Sequence, residues 1–166
     1  MQKISKLRFV DASYFFDHDD LLPDALSIHE AYGYLEERDN VLVLKFIERL
    51  ESTYHQDGII VKGLLIPSNA LLSAQKNFSY KFNNVTPGLE VGITWVDIVH
   101  IANVNRKNLS TMYTEGTIEK VTDTYMVLKD PETLQISPKP IHNHPKVKPA
   151  RYMIPLSLIE KIEVFK

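Results

Sequence analysis

The chain has 166 residues, of which 44% are hydrophobic, with a formal net charge of −2 and no cysteine. A chain of this length buries roughly 70% of its unfolded surface, so it can form a stable core without covalent or metal staples. The composition excludes disulfides, thiolate metal sites and cysteine nucleophiles, and no apolar run approaches the roughly 20 residues of a membrane span. Because a chain without cysteine suits a reducing compartment, we expect a cytoplasmic protein with no membrane contact.

Charge is unevenly distributed along the sequence. Residues 1–55 carry 6 Lys and Arg against 11 Asp and Glu, whereas residues 56–166 have a small basic excess. Duplex-DNA binders neutralise several phosphates with basic side chains, so the overall acidic balance argues against that class. The distribution leaves room for an acidic face in the first third and for a local basic patch later.

The first third predicts one strand followed by two helices. "KLRFVDASYFF", residues 6–16, has the β-favouring composition of an opening strand. Apolar residues then recur at the spacing of an amphipathic helix, at Ile28, Ala31, Tyr32 and Leu35. After a turn at Asp39-Asn40, residues 43–54 again fit a helix, although "VLVL" at 41–44 also fits a strand.

The remaining two thirds predict strands with two related halves. Residues 57–104 open near Gly58 and close on "IVHI", while residues 115–166 open near Gly116 and close on "IEKI". This similarity of pattern suggests two related small β units. The alternative is one continuous, strongly bent antiparallel sheet.

The last third resembles the Sm-like family of small β-barrels, or SH3-like barrels of similar pattern. In "GTIEKVTDTYMVLKD" the matching positions are Gly116, Asp123, Met126 and Leu128. "YMIPLSLIEKIEVF" is similar to the closing strands, where a short helical turn leads into a final strand. The resemblance implies a small barrel over residues 112–166. It does not extend to the family's RNA site, because Val127 replaces an asparagine and the chain has no Arg-Gly pair.

Together these patterns predict an α+β fold. An N-terminal strand and a helical hairpin would pack on a strongly bent antiparallel sheet that forms one or two small barrel-like units. The predicted divisions are residues 1–56, 57–111 and 112–166, which could also form one compact domain.

The favoured function is non-enzymatic binding, as an adaptor, inhibitor or immunity-type protein. Its predicted contacts with a basic protein partner are the acids of the first third, Asp17, Asp19, Asp20 and Asp24. Opposite charges on two partners steer their association, which makes such a cluster suitable for binding. No serine-nucleophile motif and no phosphate-binding glycine motif occurs, so we expect no catalytic residue and no cofactor.

Two alternatives stay open. A basic, proline-rich stretch could bind single-stranded nucleic acid or a nucleotide through Lys139, His142, His144, Lys146, Lys148, Arg151 and Tyr152. The simpler interpretation of this stretch is a stiff, solvated connector. A third possibility is a metal-dependent hydrolase that uses the Asp/His cluster of residues 17–29, with His18, Asp19, Asp20 and His29 as ligands.

Overall fold

The computed structural model describes residues 3–52, 63–101, 108–137 and 148–165, and this part of the chain is almost entirely β. Its strands are β1 (Ile4–Val10), β2 (Ser13–Phe15), β3 (Ile28–Arg38), β4 (Val41–Ser52), β5 (Gly63–Pro67), β6 (Glu90–Asp97), β7 (Val99–Ile101), β8 (Ser110–Val121), β9 (Tyr125–Ser137), β10 (Arg151–Pro155) and β11 (Ile159–Val164). Short 3₁₀ turns at Ser68–Ala70, Leu72–Ala74, Ser79–Phe82 and Leu156–Leu158 are the helical segments of the described residues. None of them has the length and hydropathy of a membrane span.

The strands form two antiparallel sheets. The first has the order β1-β3-β4-β5-β7, and the second has the order β11-β6-β8-β9-β10-β2. The predicted α+β class and its barrel-like units are therefore wrong, because the described strands form two sheets that do not close into barrels. The predicted divisions at 56 and 111 stay predictions, although β8 runs through the second of them.

The predicted helical hairpin is also wrong, because its two segments are strands β3 and β4, joined by the turn that the sequence predicted. Asp39 in that turn has a φ of 47°, the left-handed conformation that Asp and Asn adopt more readily than most residues. The helical spacing in β3 was misleading. Pairing with β1 on one side and β4 on the other buries Ala31 and Gly33, and Gly33 is a poor helix former.

The two sheets repeat one arrangement. Strands β1, β3, β4 and β5 have the same neighbours in the first sheet as β6, β8, β9 and β10 in the second. Leu42 pairs with Ile66 ahead of Pro67, just as Met126 pairs with Ile154 ahead of Pro155. A 3₁₀ turn follows each proline, so the two halves match in detail.

A β-bulge or register shift also occurs at the equivalent place in both halves. The register of β3 with β4 shifts between Tyr32 and Tyr34, around Gly33, and that of β8 with β9 shifts between Glu115 and Thr117, around Gly116. The described residues of 4–71 are thus equivalent to those of 90–159, after which β11 continues to Val164 in the second half only. The repeat predicted at 57–104 and 115–166 divides the sequence at other points, and Gly58 lies outside the described residues.

Each half contributes a short strand to the other half's sheet. After β1, the chain crosses over and β2 pairs with β10; after β6, the equivalent crossing lets β7 pair with β5. Ala12 packs against the core around Trp95, and its equivalent Ile98 lies in the core around Phe9. The exchange is reciprocal, as in an isologous contact between two copies of one unit.

Each core has a buried aromatic residue at the equivalent position, but the surroundings of these two residues differ in polarity. Phe9 and Trp95 are both buried, with Ala31 and Thr114 at equivalent positions on the neighbouring strands. The Trp95 Nε1–H donates to Thr114 Oγ1 at 3.0 Å, and Thr114 Oγ1 also lies 2.8 Å from Thr133 Oγ1. The second sheet therefore carries a buried polar network where the first has an apolar contact.

We predict that Trp95→Phe lowers the free energy of unfolding by about 1–3 kcal/mol, since it removes a buried hydrogen bond and some volume. The double variant with Thr114→Ala copies the Phe9/Ala31 pair, so its loss should be smaller than the sum of the single losses. Urea unfolding of the three variants measures this coupling, and strictly additive losses would contradict it.

Candidate functional site

The predicted acidic cluster forms an anchored turn at the edge of the second sheet. Arg151 is the first residue of β10, where it pairs with Phe15 of β2, and Arg151 is only 7% exposed. The Arg151 guanidinium donates hydrogen bonds to the carbonyl oxygens of Asp17, at 3.3 Å, and of Asp20. It also lies 3.5 Å from a carboxylate oxygen of Glu119. Arg151 therefore ties the backbone of the turn to the sheet beneath it.

The turn is also closed by its own side chains. The Asp17 N–H donates to Asp20 Oδ2 at 3.1 Å, and the Asp19 N–H donates to Asp17 Oδ1 at 2.9 Å. All three residues are exposed. Asp24 is exposed too but lies beyond the turn, where its carbonyl oxygen accepts a hydrogen bond from the Tyr125 hydroxyl at 3.4 Å. The structure thus brings three of the four predicted acids together.

Two large apolar side chains flank these acids. Phe16 is 56% exposed and Leu21 is 95% exposed. Scattered surface leucines are common, but apolar side chains at both ends of an anchored charged turn form one mixed surface. We call residues 16–21 the acidic turn.

A pocket of about 210 Å³ carries further acids. Glu90, Glu115, Asp130 and Glu132 are among its lining residues, together with Gly116 at the bulge and Phe165. His18 Nε2 lies 2.8 Å from Asp130 Oδ1, so the acidic turn contacts a pocket residue directly. Lys148 forms an ion pair with Glu132 and neutralises part of the pocket.

The residues predicted for nucleic-acid binding are divided by the fold. Lys139, His142, His144 and Lys146 lie outside the described residues. Lys148 is exposed, whereas Arg151 and Tyr152 are buried and make contacts within the protein. This use of the basic stretch stays a prediction.

The predicted metal ligands do not converge. His18 contacts Asp130, while the ring of His29 stacks on Phe9 with centroids 5.4 Å apart. Within the ranges that the structure describes, no three His, Cys, Asp or Glu residues are grouped as a metal site would need. The hydrolase alternative therefore gains no ligand set from these ranges.

Sequence reasoning missed a pair of carboxyl groups at the crossing between the sheets. Asp11 follows β1 and Asp97 ends β6, at equivalent positions of the two halves. Each carboxyl accepts a hydrogen bond from the next backbone N–H, Ala12 at 2.8 Å and Ile98 at 2.9 Å. The two carboxyls are also close enough for each to shift the pKa of the other. Equivalent groups of the two halves thus meet at the crossing between the sheets.

The surroundings of this pair favour its protonated form. Burial raises the pKa of Asp11 well above its usual range, and the neighbouring Asp97 charge adds to the effect. Burial likewise raises the pKa of Asp97 to about 6, against the lowering effect of its hydrogen bonds with Asp11 and Ile98. Two carboxylates that share a site cannot both ionise cheaply, so the pair holds a proton.

Two tyrosines lie beside the carboxyl pair. The rings of Tyr14 and Tyr152 stack with centroids 3.8 Å apart. Burial raises the pKa of the Tyr152 phenol, and the Asp97 charge raises it further. The tyrosines therefore stay neutral and add no compensating positive charge to the crossing.

One signal in the sequence could have revealed the pair. "FVD" at 9–11 and "WVD" at 95–97 have the same pattern, as do "LVLK" at 42–45 and "MVLK" at 126–129. Aligning these segments places Asp11 on Asp97, because each motif ends at its aspartate. The anchoring role of Arg151 has no comparable signal.

Comparison with protein-family models, with curated proteins and with solved structures gave no match. The resemblance of residues 112–166 to Sm-like proteins stays a prediction. Function must therefore be argued from the described side chains.

The carboxyl pair predicts an unusual pH dependence. Between about pH 4, where an unfolded aspartate ionises, and the raised folded pKa values, the folded state binds more protons than the unfolded state. Its free energy of unfolding should therefore fall as pH rises through 4 to 6 and beyond. Since one pKa unit is about 1.4 kcal/mol and burial raises the pKa of Asp97 to about 6, we expect a decrease on the order of 3 kcal/mol.

Asp97→Asn tests this prediction, because the amide keeps hydrogen-bonding capacity and cannot ionise. We expect a higher melting temperature than wild type at pH 8 and a flatter profile from pH 5 to 8. Asp123→Asn, at an exposed turn, is the matched control and should leave the profile unchanged. A variant profile that parallels wild type would refute the role of the pair.

Arg151→Met tests the anchor of the acidic turn. Loss of charged donors to two carbonyl groups should lower the free energy of unfolding by about 1–3 kcal/mol and speed proteolysis within residues 16–21. Lys148→Met removes an exposed cation and should change stability by less than about 0.5 kcal/mol. Equal effects of the two substitutions would contradict the anchoring role.

Proposed function

We propose that the protein is a non-enzymatic binding protein whose acidic turn contacts a basic, partly apolar segment of a protein partner. The partner's cations would face Asp17, Asp19 and Asp20, and its apolar side chains would cover Phe16 and Leu21. Interfaces of this kind combine an apolar centre with a charged rim. We place this activity in the cytoplasm, in keeping with the absence of cysteine.

The observation that carries this proposal is the way Arg151 holds the acidic turn. Its hydrogen bonds to the Asp17 and Asp20 carbonyl groups fix the backbone from below, so the carboxylates and both apolar side chains face outward. Binding by a fixed surface loses less conformational entropy than binding by a mobile loop. The turn is therefore organised for a partner before the partner arrives.

The surrounding charge supports a basic partner. Asp130 contacts the turn through His18, and the pocket that Asp130 lines adds Glu90 and Glu115. A surface whose charges have one sign accelerates the encounter with a partner of opposite charge, and salt weakens this effect. Binding should therefore depend strongly on ionic strength.

Selection of peptides from a random display library on the immobilised protein tests the proposal. We expect selected peptides to contain Lys or Arg beside apolar residues, and to lose affinity as salt rises. The triple variant Asp17→Asn, Asp19→Asn, Asp20→Asn should raise their Kd about tenfold, as expected from three weak charge contacts. Asparagine keeps the oxygen acceptors that close the turn.

The matched control is Glu37→Gln, Asp39→Asn, Asp123→Asn, which makes the same change in net charge at exposed residues elsewhere. It should leave the Kd within about twofold of wild type. Leu21→Ser should weaken binding at low and at high salt alike, because an apolar contact is not screened. Selected peptides without cations, or equal losses in both triple variants, would overturn the proposal.

A further inference from the structure

The first sheet has an edge that its counterpart in the second sheet does not have. In the second sheet β11 pairs with β6 from Ile159 to Val164. In the first sheet, among the described residues, the equivalent edge of β1 has one bridge, between Phe9 and Leu71. The chain then forms the 3₁₀ turn Leu72–Ala74, whose Leu72 packs against the core that contains Val10. Within the described ranges, no strand pairs with the edge from Ile4 to Arg8 as β11 pairs with its counterpart.

The second sheet shows how a strand would fit this edge. Trp95 faces Ile159 across β6 and β11, and its equivalent Phe9 faces Leu71. Continuing along both strands, Thr94, Ile93 and Gly92 are the equivalents of Arg8, Leu7 and Lys6. A strand on β1 in the register of β11 would therefore run antiparallel, beyond Leu71, toward Ile4.

The backbone groups of β1 also have a template. The Phe165 N–H donates to the Glu90 carbonyl oxygen at 2.8 Å, so the main chain of Glu90 faces β11. Its equivalent in β1 is Ile4, whose main chain then faces the open edge. Since strands alternate with a period of two, the N–H and C=O groups of Lys6 and Arg8 face that edge as well.

Side chains along the edge are cationic on one face and apolar on the other. The Lys6 and Arg8 side chains are 50% and 52% exposed, and both lie 3.5 Å from the single carboxylate of Glu30. Leu7, on the opposite face, packs against the core around Phe9. One acid shared by two cations leaves net positive charge on the exposed face.

We propose that the β1 edge binds an extended segment of a partner protein in which acidic residues alternate with apolar ones. The partner strand would add to the first sheet antiparallel to β1, with acids opposite Lys6 and Arg8 and an apolar residue opposite Leu7. Main-chain hydrogen bonds supply affinity in such strand addition, and the alternating side chains supply specificity. This surface is separate from the acidic turn and does not depend on the proposed function.

A second copy of the chain suits this edge less well. Two β1 strands paired antiparallel about Lys6 would set one lysine against the other, and like charges directly opposite are destabilising. Lysines on an edge strand commonly oppose such self-pairing. An acidic partner strand relieves the same charges.

The probe is a free peptide with the sequence of residues 159–165 carrying Lys161→Glu, which has an acid opposite Arg8 in the expected register. We expect its addition to ¹⁵N-labelled protein to shift amide signals of β1. The change Lys6→Pro removes an edge-facing N–H and should raise the Kd at least tenfold, because proline cannot donate to a strand pair. Lys6→Ala keeps the N–H and should raise the Kd only about threefold.

A variant that does not rely on proline guards against misfolding. The pair Lys6→Glu, Arg8→Glu keeps the backbone and reverses the charge, and it should reduce binding of the acidic peptide more than tenfold. The same pair should bind a peptide with lysines at the acid positions, as a charge-swap rescue. Three outcomes would each overturn the proposal. They are the absence of amide shifts in β1, amide shifts confined to β6 (which would mean that the peptide exchanges with β11), and self-association of the protein at the β1 edge.

Discussion

The fold depends on the place where the chain crosses between its two sheets. Asp11 lies between β1 of the first sheet and β2 of the second, and Asp97 lies at the reverse crossing between β6 and β7. Both crossings withdraw a carboxyl group from water, which is costly for a charged group. The backbone N–H groups of Ala12 and Ile98 offset part of that cost, and the raised pKa values of both carboxyls favour a protonated pair. The two sheets are joined through a contact that neither half could form alone.

Both proposed binding surfaces follow from these crossings and from differences between the two halves. The first crossing brings β2 beside β10, so the turn that follows Phe15 lies over Arg151. In the first half Gly63 is the equivalent of Arg151 and offers no such anchor. The β1 edge arises from the opposite difference. The segment after Leu71 forms another 3₁₀ turn, whereas the equivalent segment after the turn Leu156–Leu158 continues as strand β11.

The sequence predicted local features well and the assembly poorly. It predicted the turn at Asp39-Asn40 and the β character of the later segments, because these depend on neighbouring residues. The helix prediction for β3 is wrong because the low helix propensity of Gly33 and the β-favouring tyrosines outweigh the i, i+3, i+4 spacing. That Asp17, Asp19 and Asp20 bind a partner stays a prediction, and Arg151 was a candidate phosphate ligand only in the nucleic-acid alternative. Its buried position depends on β2 pairing with β10, a contact across most of the chain that no local pattern encodes.

The two surfaces have opposite charge and lie on different sheets, and this separation bears on what kind of binding protein the chain would be. The acidic turn belongs to the end of the second sheet where β2 meets Arg151, and the cationic edge at Lys6 and Arg8 belongs to the first. A protein with a single acidic face would serve one basic partner, as an inhibitor does. Two unlike surfaces on a duplicated framework can engage a basic and an acidic segment together, because neither strand pairing at β1 nor side-chain contact at the turn requires the other to change. Of the binding roles considered, the two proposals together therefore favour an adaptor.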